Sequence, residues 1–418
     1  MHQATLTALN RHIGGVLGHC NIDDGWPVFD SVDARLTALG NELVKHNSPH
    51  LVESDAFNIF YDLVPEALPK ATESATKLTG ALSTLLTKDA YSALESKLLK
   101  YIQSIPRSYE VLLPIPNSKL PLATVEFAPN LGLRIDHLDK NGKPRGKLLS
   151  ALSQGWDPEL TLGRPYLYLE TRGYIRKSLD GQTARSALSA LKIVLQQGLA
   201  RGIFTISSRP NVVAGLSLLG GNTHYSVEKA RLLCLDKHAE PRPNFYVDLP
   251  LDASRLIEKL EFSTGNKTLT AAAEKNTLKT TLVEQFRLPA LLATSTTPES
   301  SRVRAASEWC FDSYASESQT LAFLQVCIGL EAIFGEDSES EALTKTLADR
   351  CAYLLGTSVK GRSSIRDKFR ALYKARSKIV HGNVLSLAAS ERGHLEWGRI
   401  VLEYAIAKEL RHLGLEKA

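Results

Sequence analysis

The sequence has little cysteine and pairs none of it. Cys20, Cys234, Cys310, Cys327 and Cys351 stand far apart with no CxxC element. That spacing excludes a disulfide framework and a redox dithiol, and reads as buried free thiols. Long apolar runs are missing too: the longest, residues 321–334, is interrupted by Gln325 and Glu331 and is too short to span a bilayer. Residues 1–20 interleave His2, Gln3, Asn10, Arg11 and His12 with their apolar positions, so the continuous core of a signal peptide is absent. A soluble, cytoplasmic protein without a membrane partner is the expectation. No glycine-rich phosphate loop or dinucleotide fingerprint surrounds Gly220-Gly221-Asn222 or the other glycines, and no serine or cysteine nucleophile signature occurs. His46 and His50 are four apart, yet Pro49 argues against a shared helical face and the glutamate of an HExxH site is lacking. The cluster His12, His19, Cys20, Asp23 and Asp24 matches no closed zinc spacing. Neither a cofactor nor a metal is therefore expected.

What is present is an ordinary globular balance. At 418 residues, 43% hydrophobic and 23% charged, the chain has enough apolar material for two or three cores and too much for wholesale disorder. Its net charge of +5 permits a nucleic-acid cleft without announcing one. Apolar residues recur at helical spacing over residues 31–105, punctuated by Pro27, Pro49, Pro65 and Pro106. Strand-like runs follow at 109–114, 123–127, 131–138, 166–171, 202–206, 231–235 and 245–249, with one well-patterned helix at 183–200. Asn141-Gly142 is a hairpin signal, and Lys140, Lys143, Arg145 and Lys147 around it read as a solvated tip, with contact to RNA or a partner as the lesser alternative. Helical patterning resumes near 251 and continues to 292. The polar string at 294–301 then marks the main boundary. Beyond it, five helical stretches are expected at 303–315, 319–334, 341–355, 365–380 and 391–413. The fold class is thus α+β: a helical region 1–108, a mixed α/β region 109–293, and an all-α bundle 301–418.

The most concrete chemistry lies near the C-terminus, where Arg376 and His381 bracket the expected end of a helix. A guanidinium that keeps its proton and an imidazole that titrates near neutral pH together can cleave a phosphodiester without a metal. Arg376 would clamp the nonbridging oxygens and His381 would move the protons. Five steps of an ideal helix rotate by about 500°, so the two side chains share a side only if the helix ends between them. Gly382, a residue suited to the left-handed closing conformation, suggests such an end. Read blandly, Arg376 satisfies the last carbonyls of the helix and His381 is a cap.

Across the bundle, Ala306-x-x-Trp309, Ile328-Gly329-Leu330-Glu331-Ala332-Ile333-Phe334, Asp349-Arg350-x-Ala352 and Tyr373-x-x-Arg376-Ser377-x-Ile379-Val380-His381-Gly382 follow one another on successive helices. In this combination residues 302–413 resemble the HEPN domain family, most closely its Apea-like branch. The resemblance implies a metal-independent endoribonuclease whose arginine and histidine act at a cleft between two protomers. It also implies a toxin or effector of anti-phage defence, acting by abortive infection. Ser377 stands where active members often carry Asn, Asp or His. The site so implied comprises Arg376 and His381 as catalytic residues, with Ser377 and Glu331 supporting them. From the residues themselves, Glu331 is either the buried carboxylate that orients Arg376 from a neighbouring helix or a solvated residue on an amphipathic helix. Lys374, Lys378 and Asn383 would touch RNA, with a charged solvated face as the leading account of the lysines. The expected partners are an RNA substrate, a second copy of the chain in a two-fold dimer, and a phage-derived or protein trigger at an N-terminal sensor region. A non-catalytic HEPN scaffold that binds RNA or a partner protein is the rival expectation.

Overall fold

The computed structural model describes residues 3–29, 34–47, 50–69, 78–115, 124–135, 165–207, 230–238, 244–262, 275–335, 343–382 and 384–415. The Asn141-Gly142 turn with its four basic neighbours, Gly220-Gly221-Asn222, and most of the acidic break before the third bundle helix lie outside these residues. The fold is α+β. Its helices are α1 (Gln3–Leu17), α2 (Ala34–Asn47), α3 (Asp55–Ala67), α4 (Leu82–Leu85), α5 (Lys88–Gln103), α6 (Gln182–Ala200), α7 (Leu251–Glu258), α8 (Lys275–Thr294), α9 (Pro298–Ala315), α10 (Gln319–Phe334), α11 (Leu343–Leu355), α12 (Val359–Val380) and α13 (Arg392–His412). The strands are β1 (Asn21–Asp23), β2 (Trp26–Val28), β3 (Gly80–Ala81), β4 (Arg107–Pro114), β5 (Thr124–Ala128), β6 (Leu131–Ile135), β7 (Pro165–Gly173), β8 (Phe204–Ile206), β9 (Arg231–Asp236), β10 (Asn244–Asp248) and β11 (Leu260–Phe262). They form sheets of order β2-β1-β3, β10-β9-β4-β7-β6-β5 and β11-β8. No helix among the described residues is long and apolar enough to cross a membrane.

The chain divides into two compact units, and it passes from one to the other within β4, β7, α6, β9 and β10. The first comprises Met1–Glu110, Glu170–Ser186 and Cys234–Val247. Its core gathers Leu9, Ile13, Leu39, Leu43, Ile59, Phe60, Leu94 and Leu98 from α1, α2, α3 and α5, each stabilising by about 1.5–3 kcal/mol on burial. Beside this core, β1 and β2 form an antiparallel hairpin in which Asp23 faces Trp26. Asp24 and Gly25 make the turn with φ of 51° and 83°, the double positive φ that Asp-Gly favours. Asp23 and Asp24 thus belong to a hairpin, and Cys20 is buried in the core. A charged contact is also buried in this unit: Arg107 Nε donates to Asp236 Oδ2 at 2.7 Å, and its guanidinium lies 4.5 Å from the centroid of the Tyr101 ring.

The second unit comprises Val111–Leu169, Ala187–Leu233 and Asp248–Ala418. It holds the polar string at 294–301, which is the start of a helix: Thr297 Oγ1 accepts from Ser300 N, and Pro298 fills the first helical turn of α9, where a missing N–H costs nothing. Helix α6 lies against α9 through Lys192 Nζ and Asp312 Oδ1, 2.7 Å apart. Helix α8 meets β5 through the stacked rings of Phe286 and Phe127. The continuous helical pattern expected from 251 to 292 is instead interrupted by β11, which pairs antiparallel with β8. The five bundle helices fall on the expected stretches, except that α9 begins five residues and α12 six residues earlier than their apolar patterns. Ser358 caps α12 by accepting from Gly361 N, so a run of glycine and serine that reads as a break is the first turn.

All five thiols are buried and free. Burial pushes those of Cys20, Cys234 and Cys351 up to about 12, and those of Cys310 and Cys327 higher still. Since the thiolate is the reactive form, alkylation of the native protein by iodoacetamide at pH 8 is expected to be negligible. Adding denaturant should release five reactive thiols, which a mass spectrum taken before and after counts directly.

Candidate active site at the end of helix α12

Two helices carry the site residues. Helix α10 starts at Ser318, whose hydroxyl accepts from Leu321 N. Helix packing is close at Gly329, where a Cβ would stand 2.6 Å from Leu402 Cδ2 and 3.4 Å from Trp309 Cβ. At the far end of α10, Arg302 donates to the Ile333 carbonyl and Arg350 to that of Phe334, the latter at 2.7 Å. Two guanidiniums on the last carbonyls complement the negative end of the helix. Glu331 sits in that last turn, just before the two capped carbonyls.

Helix α12 buries Phe369, Leu372 and Tyr373. The rings of Phe369 and Tyr373 stack at 4.7 Å, and the Tyr373 hydroxyl donates to the Cys327 carbonyl at 3.4 Å. Burial, reinforced by the neighbouring Glu331 carboxylate, pushes that hydroxyl far above the ordinary tyrosine range. It therefore stays protonated. Next to it, Arg376 Nη2 lies 3.3 Å from Glu331 Oε1, which is the ion pair expected between α12 and α10. Glu331 is half-buried rather than buried. Among the described residues the buried carboxylates are Asp55, Glu110, Asp236 and Glu258. An open rim at Glu331 leaves the Arg376 guanidinium within reach of a ligand.

The helix ends at Val380, between Arg376 and His381, without bringing the two side chains together. The His381 N–H still bonds the Ser377 carbonyl at 3.0 Å. Gly382 does adopt the left-handed conformation, at φ 73°. A positive φ at 382 redirects the chain after His381, however, and leaves the Cβ direction of His381 as the helix sets it. By helix geometry the two side chains stand about 140° apart in rotation and about 7.5 Å apart in rise. The expected convergence within one chain is thus replaced by an inward Arg376, paired to Glu331, and an exposed His381.

Ser377 and Lys374 are exposed, and Lys378 Nζ lies 3.4 Å from Glu391 Oε1. Asn383 lies outside the described residues. The chain returns by way of Leu387, which is buried and whose N–H donates to Thr320 Oγ1 at 2.9 Å. Substituting Gly382 by Ala would meet no atom within 4 Å, so its cost is that of a left-handed backbone alone. We expect Gly382→Ala to destabilise by about 1–2 kcal/mol and Gly382→Asn by less, as read from denaturant midpoints.

The whole chain matches no family model, no curated protein and no solved structure. The geometry of the site is therefore what bears on function. One part of it is not visible in the overall charge. Helix α12 carries eight basic residues and one acid, Asp367. The entire chain has 50 basic and 45 acidic residues, which leaves 42 against 44 for everything outside this helix. The net positive charge of the protein resides in α12. Arg362, Arg366, Arg370, Lys374 and Lys378 recur on it at intervals of four, and that regularity in the sequence is the signal that would have revealed it.

Proposed function

We propose that this chain is a metal-independent endoribonuclease of the HEPN type that cleaves single-stranded RNA. The observation that carries this reading is the end of α12: a guanidinium held by a carboxylate and an exposed imidazole, on the helix that holds the excess positive charge. In the proposed reaction the ribose 2′-hydroxyl attacks phosphorus while His381 takes its proton. The 2′-oxygen to phosphorus bond forms, the bond to the 5′-oxygen breaks, and a second imidazole protonates the leaving oxygen. Arg376 stabilises the charge on the nonbridging oxygens.

A second copy of the chain supplies that second imidazole and relieves the angular separation of the pair. Support comes from α10, which is apolar nearly all round: Leu321 is exposed in its first turn and Ile328 one turn before Glu331. A helix of that composition is ordinarily covered, and a two-fold partner would cover it. The proposal extends to a cytoplasmic toxin or effector of anti-phage defence, with the N-terminal region as sensor. That extension rests on the family resemblance alone. A non-catalytic scaffold is favoured over a nuclease by one observation, the roughly 140° between Arg376 and His381 in a single chain.

The test is cleavage of a labelled single-stranded RNA by the full chain in EDTA, beside the same oligonucleotide with one 2′-deoxy residue. Cutting at every position except the one 3′ of the deoxy residue is expected. Cutting there as well excludes the 2′-hydroxyl mechanism, and intact RNA in both samples favours the scaffold.

A further inference from the structure

We infer that Tyr353, with Arg362 and Arg366, forms an anchoring subsite for a base of single-stranded RNA, remote from His381 and joined to it by the basic ridge of α12. The inference rests on the RNA-directed reading above and adds to it a second contact, which sets the length of RNA the protein holds.

Tyr353 lies in the last turn of α11 and is 64% exposed, unusually open for a tyrosine at a helix junction. Two guanidiniums flank its ring, Arg362 Cζ at 5.0 Å and Arg366 Cζ at 5.9 Å from the centroid. Neither arginine is placed by the ring alone. Arg362 Nε donates to the Gly356 carbonyl at 3.1 Å, and Arg366 Nε pairs with Asp349 Oδ1. The result is an exposed aromatic ring with two positioned planar cations over it. That combination stacks a nucleobase and holds its phosphate, and it does so without reading sequence.

From this end the ridge Arg362, Arg366, Arg370, Lys374, Lys378 follows the four-residue row of the helix surface. His381 comes three residues after the last of them. Nineteen residues separate Arg362 from His381, about 28 Å along the axis. At the duplex spacing of about 3.4 Å per nucleotide, that distance corresponds to about eight nucleotides, fewer for an extended strand. Among the described residues three carboxylates pair with the ridge: Asp349 with Arg366, Asp367 at 3.9 Å from Arg370, and Glu391 at 3.4 Å from Lys378. All these pairs are at least partly open to solvent, where such pairs contribute little and give way to phosphate. An anionic membrane or an acidic protein would satisfy the charges, but it offers Tyr353 no flat ring to stack on.

Binding separates these partners. The full-length His381→Ala chain, which keeps RNA intact, is titrated with labelled oligouridine of four and of twelve nucleotides by fluorescence anisotropy. Adding Tyr353→Ala is expected to weaken the twelve-mer about five- to hundredfold and to leave the four-mer within twofold, while Tyr353→Phe behaves as the parent. Replacing Arg370 and Lys374 together by Gln should lower the slope of log affinity against log salt by about 1.4. A purely structural Tyr353 would change thermal unfolding and not the length dependence. Unchanged twelve-mer affinity in Tyr353→Ala, or equal weakening of inorganic polyphosphate, overturns the anchor; the second result would assign the ridge to a different polyanion. A parent that fails to bind the twelve-mer overturns it too. Failure of the nuclease reading looks different: the wild type then binds with the same length dependence and cuts nothing.

Discussion

His381→Ala is expected to lower the rate of RNA cleavage by about 10²–10⁴-fold, the usual contribution of a positioned general acid or base. The fold should be untouched. His381 is exposed, and its structural tie is a backbone bond to Ser377 that alanine keeps. Surface substitutions of this kind stay within about 0.5 kcal/mol. Arg376→Ala should cost about 10²–10³-fold through loss of charge stabilisation, and here stability also suffers, because Glu331 loses the guanidinium 3.3 Å away. Arg376→Lys keeps the charge without the planar fork and should recover stability more than rate. Residues acting on one phosphorane are not independent, so the double variant should be little worse than the weaker single one. Initial rates on a fluorogenic RNA, with unfolding midpoints for each variant, decide the matter. Equal rates for wild type and His381→Ala would end the assignment of that residue to proton transfer.

Asp236→Ala should give the largest loss of stability. Arg107 and Asp236 are both buried, 2.7 Å apart, and Arg107 also donates to Ser104 Oγ at 2.8 Å while lying over Tyr101. Removing the carboxylate leaves an arginine that cannot shed its charge inside a protein. Breaking such a pair from one side costs about 3–5 kcal/mol. The paired replacement Arg107→Met with Asp236→Leu removes both charges and is expected to be far milder, within about 1–2 kcal/mol of the parent, because the desolvation of two ions is avoided. Denaturant unfolding of the two variants tests the claim. If Asp236→Ala and the paired variant unfold together, the loss comes from packing and not from the stranded charge.

These features differ in how far the sequence revealed them. Helices α9 to α13 were readable from their apolar periods, whereas the capped starts at Thr297 and Ser358 read as a boundary and a break, so α9 and α12 begin earlier than expected. The Arg376–Glu331 pair was readable because a half-buried arginine between two helices seeks a carboxylate. The N-terminal hairpin was not: two strands of three residues have almost no period, and Asp23 and Asp24 stand out only as members of a cluster without a zinc spacing. The left-handed closure is expected at Gly382 and stands there, but a turn at that residue comes after His381 and does not redirect its side chain. The ridge of α12 escaped notice for a different reason. With the helix start set at Ile365, Arg362 fell in a loop, and the four-residue interval was cut short.

Concentrating the surplus charge in α12 also shapes how the molecule meets charged surfaces. At its isoelectric point, about pH 8.8, the protein as a whole is neutral, while α12 still gathers eight basic residues against one acid. Neutrality is then an average over an uneven body. Such a protein should stay bound to a sulfonate column at the pH where its electrophoretic mobility vanishes, held by one face and free to rotate about it.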